Sequence, residues 1–511
     1  MQETAFTPAG EWVRRHAAAR PEQPALVAGN ESAQPAYTWG ELDRLMDRIA
    51  AALQQGGVQP GEAIAMCGAT TPLQAAIFLG ALRAGVVVAP LASSVTPQDF
   101  AAMLADARAR SLFVDASAAA LVPESARSLC VALDAGAPGQ AFEAWLAPQG
   151  STPQPVAITP EMPFNIIYSS GTTGTPKGIV QPHSMRWTHV QRAAKYEYTP
   201  EGVTILATPL YSNTTLVVFF PTIYAGGTVV LMAKFDAAGY LALAQRHRAT
   251  HTMLVPVQYQ RIMARPDFGQ HDLSPFRFKF CTSAPFPAAL KADVLARWPG
   301  GLVEFYGMTE GGGTCILEAH LFPHKLHTVG RPAEGHDIRL IDNAGREVPA
   351  GEAGEVVGRS PGMMTGYHNR PDKTREAEWF SPEGLRFIRT GDVGRFDAEG
   401  FLTLFDRKKD MIISGGFNIY PSDLEAQLRA HPAVAEVAVA GVPSEQWGET
   451  PVAFVVRQAG AETSADELRG WLNARVGKTQ RVADVVLVDE LPRSAIGKVL
   501  KRELRERYGR A

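Results

Sequence analysis

Between Tyr168 and Gly178 the chain reads YSSGTTGTPKG, with three glycines, six hydroxyl side chains and one lysine in eleven residues. A polyphosphate needs many short donors close together, and backbone N–H groups supply them only where no Cβ intervenes. Gly171, Gly174 and Gly178 let the main chain curl and approach such a ligand. Ser169, Ser170, Thr172, Thr173 and Thr175 add hydroxyl donors, and Lys177 adds the countercharge. Pro176 stiffens the turn that leads to the lysine. The order is not that of the P-loop GxxxxGK[ST], because Lys177 is preceded by proline and followed by Gly178. A flexible Ser/Thr/Gly-rich surface loop has the same composition, so composition alone leaves both readings open.

Residue order separates them. YSSGTTGTPKG closely resembles the phosphate loop of the adenylate-forming superfamily, which includes the acyl- and aryl-CoA ligases, the luciferases and the adenylation domains of peptide synthetases. YGMTEG (Tyr306 to Gly311), RTGDVGRFDAEGFLTLFDRKKDMIISGGFNIYP (Arg389 to Pro421) and PRSAIGKVLK (Pro492 to Lys501) resemble the same family in the same order and at similar spacing. Together they span most of the chain after residue 165, whereas the opening half carries few diagnostic residues.

The resemblance implies a two-step reaction. A carboxylate attacks the α-phosphate of ATP to give an acyl-adenylate and pyrophosphate, and a thiol then attacks the activated carbonyl and expels AMP. The protein's task is to position two anions and neutralise charge. By resemblance, residues 169–174 and Lys177 hold the β- and γ-phosphates. Tyr306 and Gly307 flank adenine, Thr309 bonds the α-phosphate, and Glu310 helps hold Mg²⁺, for which one carboxylate beside phosphate oxygens suffices. Asp392 matches the residue that binds both ribose hydroxyls, although an Asp in a TGD turn is also an ordinary turn cap. Arg407 resembles a second ribose or phosphate contact. Ser283 and Ala284, in CTSAP, correspond to a segment lining adenine and the acyl group, and a plain strand-to-helix turn fits them equally. Lys498 matches the lysine that contacts the acyl carboxylate and bridging oxygen during adenylation. Lys501 and Arg502 beside it also allow a solvated basic face.

For the second step, Lys409 occupies the hinge position about which the small domain of the family swings. That motion withdraws Lys498 and brings residues 413–420 to the site. Gly415 and Gly416 then let backbone pass close to the pantetheine of CoA, with Asn418 and Trp447 as thiol-substrate contacts. A strand-end turn and simple packing are the other readings of these four residues. Lys478 and Arg481 are candidates for CoA phosphates, in a segment, GKTQRVAD, that departs from the usual basic pattern.

The acid pocket is less legible. Ser212 stands where relatives commonly have histidine, which leaves the carboxylate without an evident partner. Val257, Tyr259 and Phe219 wall a pocket or belong to the core. Gly311, followed by Gly312 and Gly313, presents no side chain to obstruct it. No Asp stands ready to grip an α-amino group. The expected substrate is an apolar, bulky acid: an aromatic or hydroxycinnamic acid such as ferulate first, a medium-chain fatty acid second. A luciferase-like oxygenase, a free-standing adenylation protein loading a carrier protein and a non-catalytic nucleotide-binding module are the competing readings. Retention of Lys177, Glu310, Asp392 and Lys498 disfavours the last.

These residues need a scaffold. A chain of 511 residues is too long for one core. Ala-rich amphipathic stretches alternate with short Val/Ile/Leu runs: helix 43–55, strand 63–67, helix 71–84, strand 86–90. That alternation predicts parallel sheets with helices packed on them. Thr215 to Met232, the most membrane-like stretch, is broken by Pro221 and Gly226-Gly227 and reads as a helix, a turn and a buried strand. After about residue 330 short strands dominate, with hairpin turns at Asn343-Ala344-Gly345 and Ala398-Glu399-Gly400. A helix from Tyr420 and strands at 436–442 and 485–491 follow. The expected architecture is α/β: a large N-terminal domain, 1–407, of helix-covered β-sheets, and a small mobile α+β domain, 408–511.

The formal net charge of −3 argues against a nucleic-acid or anionic-membrane binder. Cys67, Cys130, Cys281 and Cys315 are scattered, with no CxxC pair, which suits a reducing compartment and signals no metal site or disulfide framework. The opening MQETAFTPAGEWVRR lacks a signal-peptide core, and the terminal GRA is no peroxisomal address. The expectation is a cytoplasmic monomer or homodimer whose partners are ATP, CoA and a small carboxylic acid.

Overall fold

The computed structural model describes residues 5–29, 36–169, 176–407, 410–414, 417–493 and 499–509. The backbone divides into two compact units, one of residues 1–337 and 359–388, the other of residues 338–358 and 389–511.

The first unit holds two large sheets. In the nine-stranded sheet, Pro24–Ala28, Thr228–Leu231, Val203–Leu206, His251–Leu254, Phe278–Cys281 and Gly301–Gly307 run parallel as neighbours in that order. Thr314–Glu318 and Arg331–Pro332 close one side antiparallel. The second, eight-stranded sheet centres on Ala63–Cys67, Val87–Pro90 and Pro163–Ser169 and ends at Gly366–Tyr367.

Two helices explain how the sheets share a core. Pro72–Arg83 and Asn213–Ala225 are apolar around most of their circumference, and most of their residues are buried. Such helices belong between layers rather than on a surface. Phe78 of the first meets Phe164 of the second sheet and Phe220 of the other helix, at ring separations of 5.9 and 5.8 Å.

The membrane-like stretch resolves as expected. Helix Asn213–Ala225 ends at Gly226, whose φ of 80° only glycine adopts cheaply, and the buried strand Thr228–Leu231 follows. Among the described residues no helix is long and apolar enough to cross a membrane. The helix expected from Asp43 starts earlier, at Trp39, because Thr38 and Glu41 form a reciprocal capping box.

In the second unit both expected hairpins are present. Asp342 N–H reaches Arg346 O, and Ile341 bridges Glu347. Asp397 N–H reaches Phe401 O at the other turn. The C-terminal part is an α+β layer. Along Val434–Ser444, Val437 and Val439 face one cluster with Leu424, Leu428, Leu468 and Leu472, while Ala438, Ala440 and Val442 face another with Leu504. This period of two is what a strand buried on both faces requires. The expected strand 485–491 is shorter, Asp484–Leu487.

Candidate active site

Two paired strands flank the glycine-hydroxyl segment. Strands Pro163–Ser169 and Lys177–Pro182 pair antiparallel with Ser169 opposite Lys177 and Tyr168 opposite Gly178. Of Ser169 only the backbone is described; Ser170, Gly171, Thr172, Thr173, Gly174 and Thr175 lie outside the described residues. The hairpin's base is pinned. The Tyr168 hydroxyl donates to Asp106 Oδ2 at 2.8 Å, and His368 Nδ1 lies 3.5 Å from the same oxygen. Gly178 has to be small: a Cβ there would sit 2.7 Å from Ile166 Cγ2 and 3.0 Å from the Tyr168 ring.

Lys177 meets the YGMTE segment through a residue that no motif reading named. Strand Gly366–Tyr367 adds to Lys177–Pro182, with Tyr367 opposite Ile179. His368 N–H also reaches Gly178 O at 2.7 Å, and Met364 N–H reaches Glu310 O at 2.8 Å. These bonds place Tyr367 so that its hydroxyl donates to Glu310 Oε1 at 2.7 Å and its ring face lies 4.5 Å from Lys177 Nζ. Burial and the neighbouring Glu310 charge push the Tyr367 phenol up, so it stays a donor. No hydrogen bond to the other oxygen of Glu310 is formed among the described residues. That leaves one carboxylate oxygen of half-buried Glu310 available, the donor chemistry a hard cation shared with phosphate requires.

Thr309 is held from below. Gln181 Nε2 donates to the Thr309 carbonyl at 2.6 Å, and Arg186 donates to Gln181 Oε1. Arg186 is 1% exposed, and burial lowers its guanidinium to about 9. The turn continues through Gly311, whose φ is 72°. A Cβ on Gly311 would lie 2.1 Å from the Gly362 carbonyl oxygen, and Ser360 Oγ donates to Gly311 O. This corrects the expectation that Gly311 simply leaves room for the acid, since backbone fills the space its side chain would take.

Ser283 and Tyr306 follow or end adjacent parallel strands, at the carboxyl edge where open α/β sheets bind ligands. Cys281 stands opposite Glu304 in register, so Ser283-Ala284 leave the sheet beside the end of strand Gly301–Gly307, where Tyr306 and Gly307 still pair with Cys315 and Thr314. Ser283 has φ +82°, a strained conformation for a residue with a side chain, and its Oγ is 2.5 Å from Thr214 Oγ1. Ser212 stands just before the helix beginning at Asn213, without a side-chain capping bond; it is 8% exposed, and its carbonyl accepts from Thr215 N–H. Val257 is half-buried at the start of helix Pro256–Met263. Tyr259 and Phe219 are fully enclosed. The Tyr259 hydroxyl donates to Phe280 O and its ring stacks on Phe286, so both residues are core and present no surface to a substrate.

In the second unit Asp392 and Arg407 are direct cross-strand partners, and of Arg407 only the backbone is described. The TGD turn is shaped locally. Gly391 has φ 71°, and the Thr390 hydroxyl donates to Val356 O and accepts from Asp392 N–H. Arg389 clamps Glu355 through two bonds of 3.1 and 2.6 Å.

Trp447 is 51% exposed and Ile413 52%, and Ser414 pairs with Gly448, so both large apolar side chains lie beside the same strand junction. Lys478 and Arg481 are exposed. Lys409, Gly415, Gly416 and Lys498 lie outside the described residues, and of Asn418 only the backbone is described. The flanks of Lys498 are fixed: Arg493 bridges Val499 and pairs with Glu436, and Lys501 pairs with Glu425.

Known proteins share the sequence and fold of this chain. The AMP-binding enzyme model matches residues 13–368, and the model of the AMP-binding enzyme C-terminal domain matches residues 423–498. A feruloyl-CoA synthase from Amycolatopsis sp is 34% identical over 98% of this chain and 99% of its own. An indoleacetate–CoA ligase from Aromatoleum aromaticum is 34% identical over 98% of each chain. The crystal structure of ATP-bound MatB from Rhodopseudomonas palustris superposes with a TM-score of 0.86 at 29% identity, covering 98% of this chain and 99% of that one. With one family model covering residues 13–368 and a second covering residues 423–498, this chain belongs to the AMP-binding enzyme family.

Proposed function

We propose that the chain is an ATP-dependent carboxylic acid–CoA ligase. In the first half-reaction an acid's carboxylate oxygen attacks the α-phosphorus of ATP, and the bond to the β-phosphate's bridging oxygen breaks. The products are acyl-adenylate and pyrophosphate. In the second, the CoA sulfur, having lost its proton, attacks the acyl carbon, and AMP leaves with the electron pair of the cleaved C–O bond.

The reading is carried by the junction in which Tyr367 joins Glu310 to Lys177. There the cation of the phosphate hairpin and the carboxylate of YGMTE stand on either side of one phenol. Lys177 and residues 169–174 bind the β- and γ-phosphates, and Thr309 bonds the α-phosphate. Tyr306, Gly307, Ser283 and Ala284 flank the adenine, and Asp392 and Arg407 take the ribose. Glu310, with phosphate oxygens, would hold Mg²⁺, which supplies charge neutralisation when bound. Lys498 relieves repulsion between carboxylate and phosphate. The small domain, beginning at residue 408, turns about Lys409 and brings Gly415, Gly416, Asn418 and Trp447 to CoA. The feruloyl-CoA synthase relative supports a hydroxycinnamic acid as the first substrate to test.

Isotope exchange between pyrophosphate and ATP, run over a panel of hydroxycinnamic and medium-chain fatty acids and followed by thioester assay with CoA, tests the reading. Lys498→Ala should slow exchange by on the order of 10²–10³ while leaving thioester formation from preformed adenylate much less affected. Equal loss of both half-reactions counts against the role of Lys498. No exchange with any acid counts against the reaction.

A further inference from the structure

Arg186 is a buried charge with no acid to answer it. It stands on helix His183–Val190, which directly follows strand Lys177–Pro182. One guanidinium nitrogen donates to Gln181 Oε1, and Nη1 lies 3.4 Å from His189 Nδ1. The Phe164 ring centroid is 5.7 Å from Cζ. Nε has no partner among the described residues, and no carboxylate among them pairs with the guanidinium. The neighbourhood supplies cations and neutral rings instead. Arg192 Nη2 lies 2.8 Å from His336 Nε2, and these two groups oppose a proton on His189, as Arg186 does. Burial and those cations hold His189 well below the usual imidazole range, and burial lowers His183 to about 4. Arg186, lowered to about 9, keeps its charge near neutral pH.

Such a charge is costly, and an apolar side chain of similar length fills the same volume without that cost. A second orphan lies beside it. Asn165 is opposite Gln181 in register and has no exposed surface, yet neither of its amide atoms is bonded among the described residues. Buried polar groups left without partners call for a cause other than packing.

The charge is also aimed. Gln181 Nε2 donates to the Thr309 carbonyl at 2.6 Å, so Arg186, Gln181 and Thr309 form one line of hydrogen bonds. Bonds in such a line polarise one another, and a low-polarity interior extends the reach of the charge behind them. Alternation along the strand puts Gln181 on the same face as Lys177, roughly 13 Å further on. Arg186 therefore acts at the YGMTE segment, away from the point where Lys177 acts.

We propose that Arg186 is a positioning residue for the phosphate site: through Gln181 it fixes the Thr309 backbone, and its unanswered charge favours a triphosphate bound against the YGMTE segment. The inference rests on the ligase reading for the identity of that anion, and it adds to the site a group that no motif contains.

Calorimetric titration of the wild type, Arg186→Met and Arg186→Lys with Mg²⁺-ATP and with adenosine tests it. Arg186→Met should weaken ATP binding by on the order of tenfold and adenosine binding by less than about twofold, because only the former carries the anion. Arg186→Lys, which keeps the charge without the fork, should lie between. In pyrophosphate exchange, KM for ATP should rise in Arg186→Met while KM for the acid stays the same. Tm should change little, since relief of the buried charge offsets the donor lost to Gln181. Equal loss of ATP and adenosine affinity, or a fall in Tm with an unchanged ratio of the two, overturns the proposal. Normal ATP binding by Arg186→Met, where the wild type carries out exchange, overturns it and leaves the ligase reading standing. ATP binding that depends on Arg186 in a protein silent in exchange with every acid sinks the ligase reading and sustains the role of Arg186. Should Arg186→Met fail to fold, Gln181→Glu sets a carboxylate against the guanidinium. The preference for ATP over adenosine should then fall by the same order, and an undiminished preference overturns the proposal.

Discussion

The Tyr367 hydroxyl donates to Glu310 Oε1 at 2.7 Å while its ring face lies 4.5 Å from Lys177 Nζ. One phenol thus fixes the spacing between a cation and a carboxylate that lie far apart in the chain. Tyr367→Phe keeps the ring and its contact with Lys177 but frees the carboxylate to swing. The expected result is a loss of roughly tenfold in exchange rate and a higher Mg²⁺ requirement, with little change in Tm. Mg²⁺ titration of the exchange rate measures both quantities, and an unchanged requirement would reduce Tyr367 to packing.

Gly311 separates a backbone role from a pocket role. A side chain there meets the Gly362 carbonyl oxygen at 2.1 Å and must also adopt φ 72°. Gly311→Ala is therefore expected to destabilise the first unit by about 1–3 kcal/mol, from overpacking and backbone strain together. Denaturant unfolding measures this directly. A variant of wild-type stability with altered preference for acid size would restore the reading of Gly311 as a pocket wall.

What the sequence made legible is local. The hairpin of strands Pro163–Ser169 and Lys177–Pro182, the TGD turn and the two later hairpins each depend on residues a few positions apart, and glycine and capping side chains mark them. Thr38 with Glu41 shows the limit of such marking, since the capping box starts its helix four residues before the apolar periodicity becomes clear. Tyr367 was not legible because strand pairing across a long intervening stretch brings it to Glu310, and GYHNR carries no catalytic signature of its own. Arg192 and His336 meet for the same reason, and neither stands in a motif. Tyr259 shows the converse. An aromatic residue on a helix after a strand fits a pocket wall or a core equally well, and only its enclosed position and its bond to Phe280 O decide between them.

Lys409 carries the prediction for the second half-reaction. If the small domain turns about this residue, its φ must change between the two steps. Lys409→Pro fixes φ near −65°, so adenylate formation should persist while thioester output falls. Single-turnover measurement of each half-reaction resolves the two, and normal overall turnover would rule out rotation at this position.

Buried imidazoles set the acid limit of stability. His183 is 4% exposed and His251 has no exposed surface, and desolvation lowers both to about 4. His251 Nε2 donates to Tyr196 O and its Nδ1 lies against the Thr250 hydroxyl, an arrangement that uses the neutral ring fully. In the unfolded chain both rings titrate near 6.5. The folded state thus binds fewer protons than the unfolded state between about pH 6.5 and pH 4. Stability that is complete above 6.5 declines as pH falls through that window, by at most about 3 kcal/mol for each ring. Urea unfolding from pH 7 to pH 4.5 should show this decline. His251→Asn, although less stable at pH 7, should have a shallower slope by about one proton. An unaltered slope would mean that His251 is already protonated in the folded protein, with Thr250 as its acceptor.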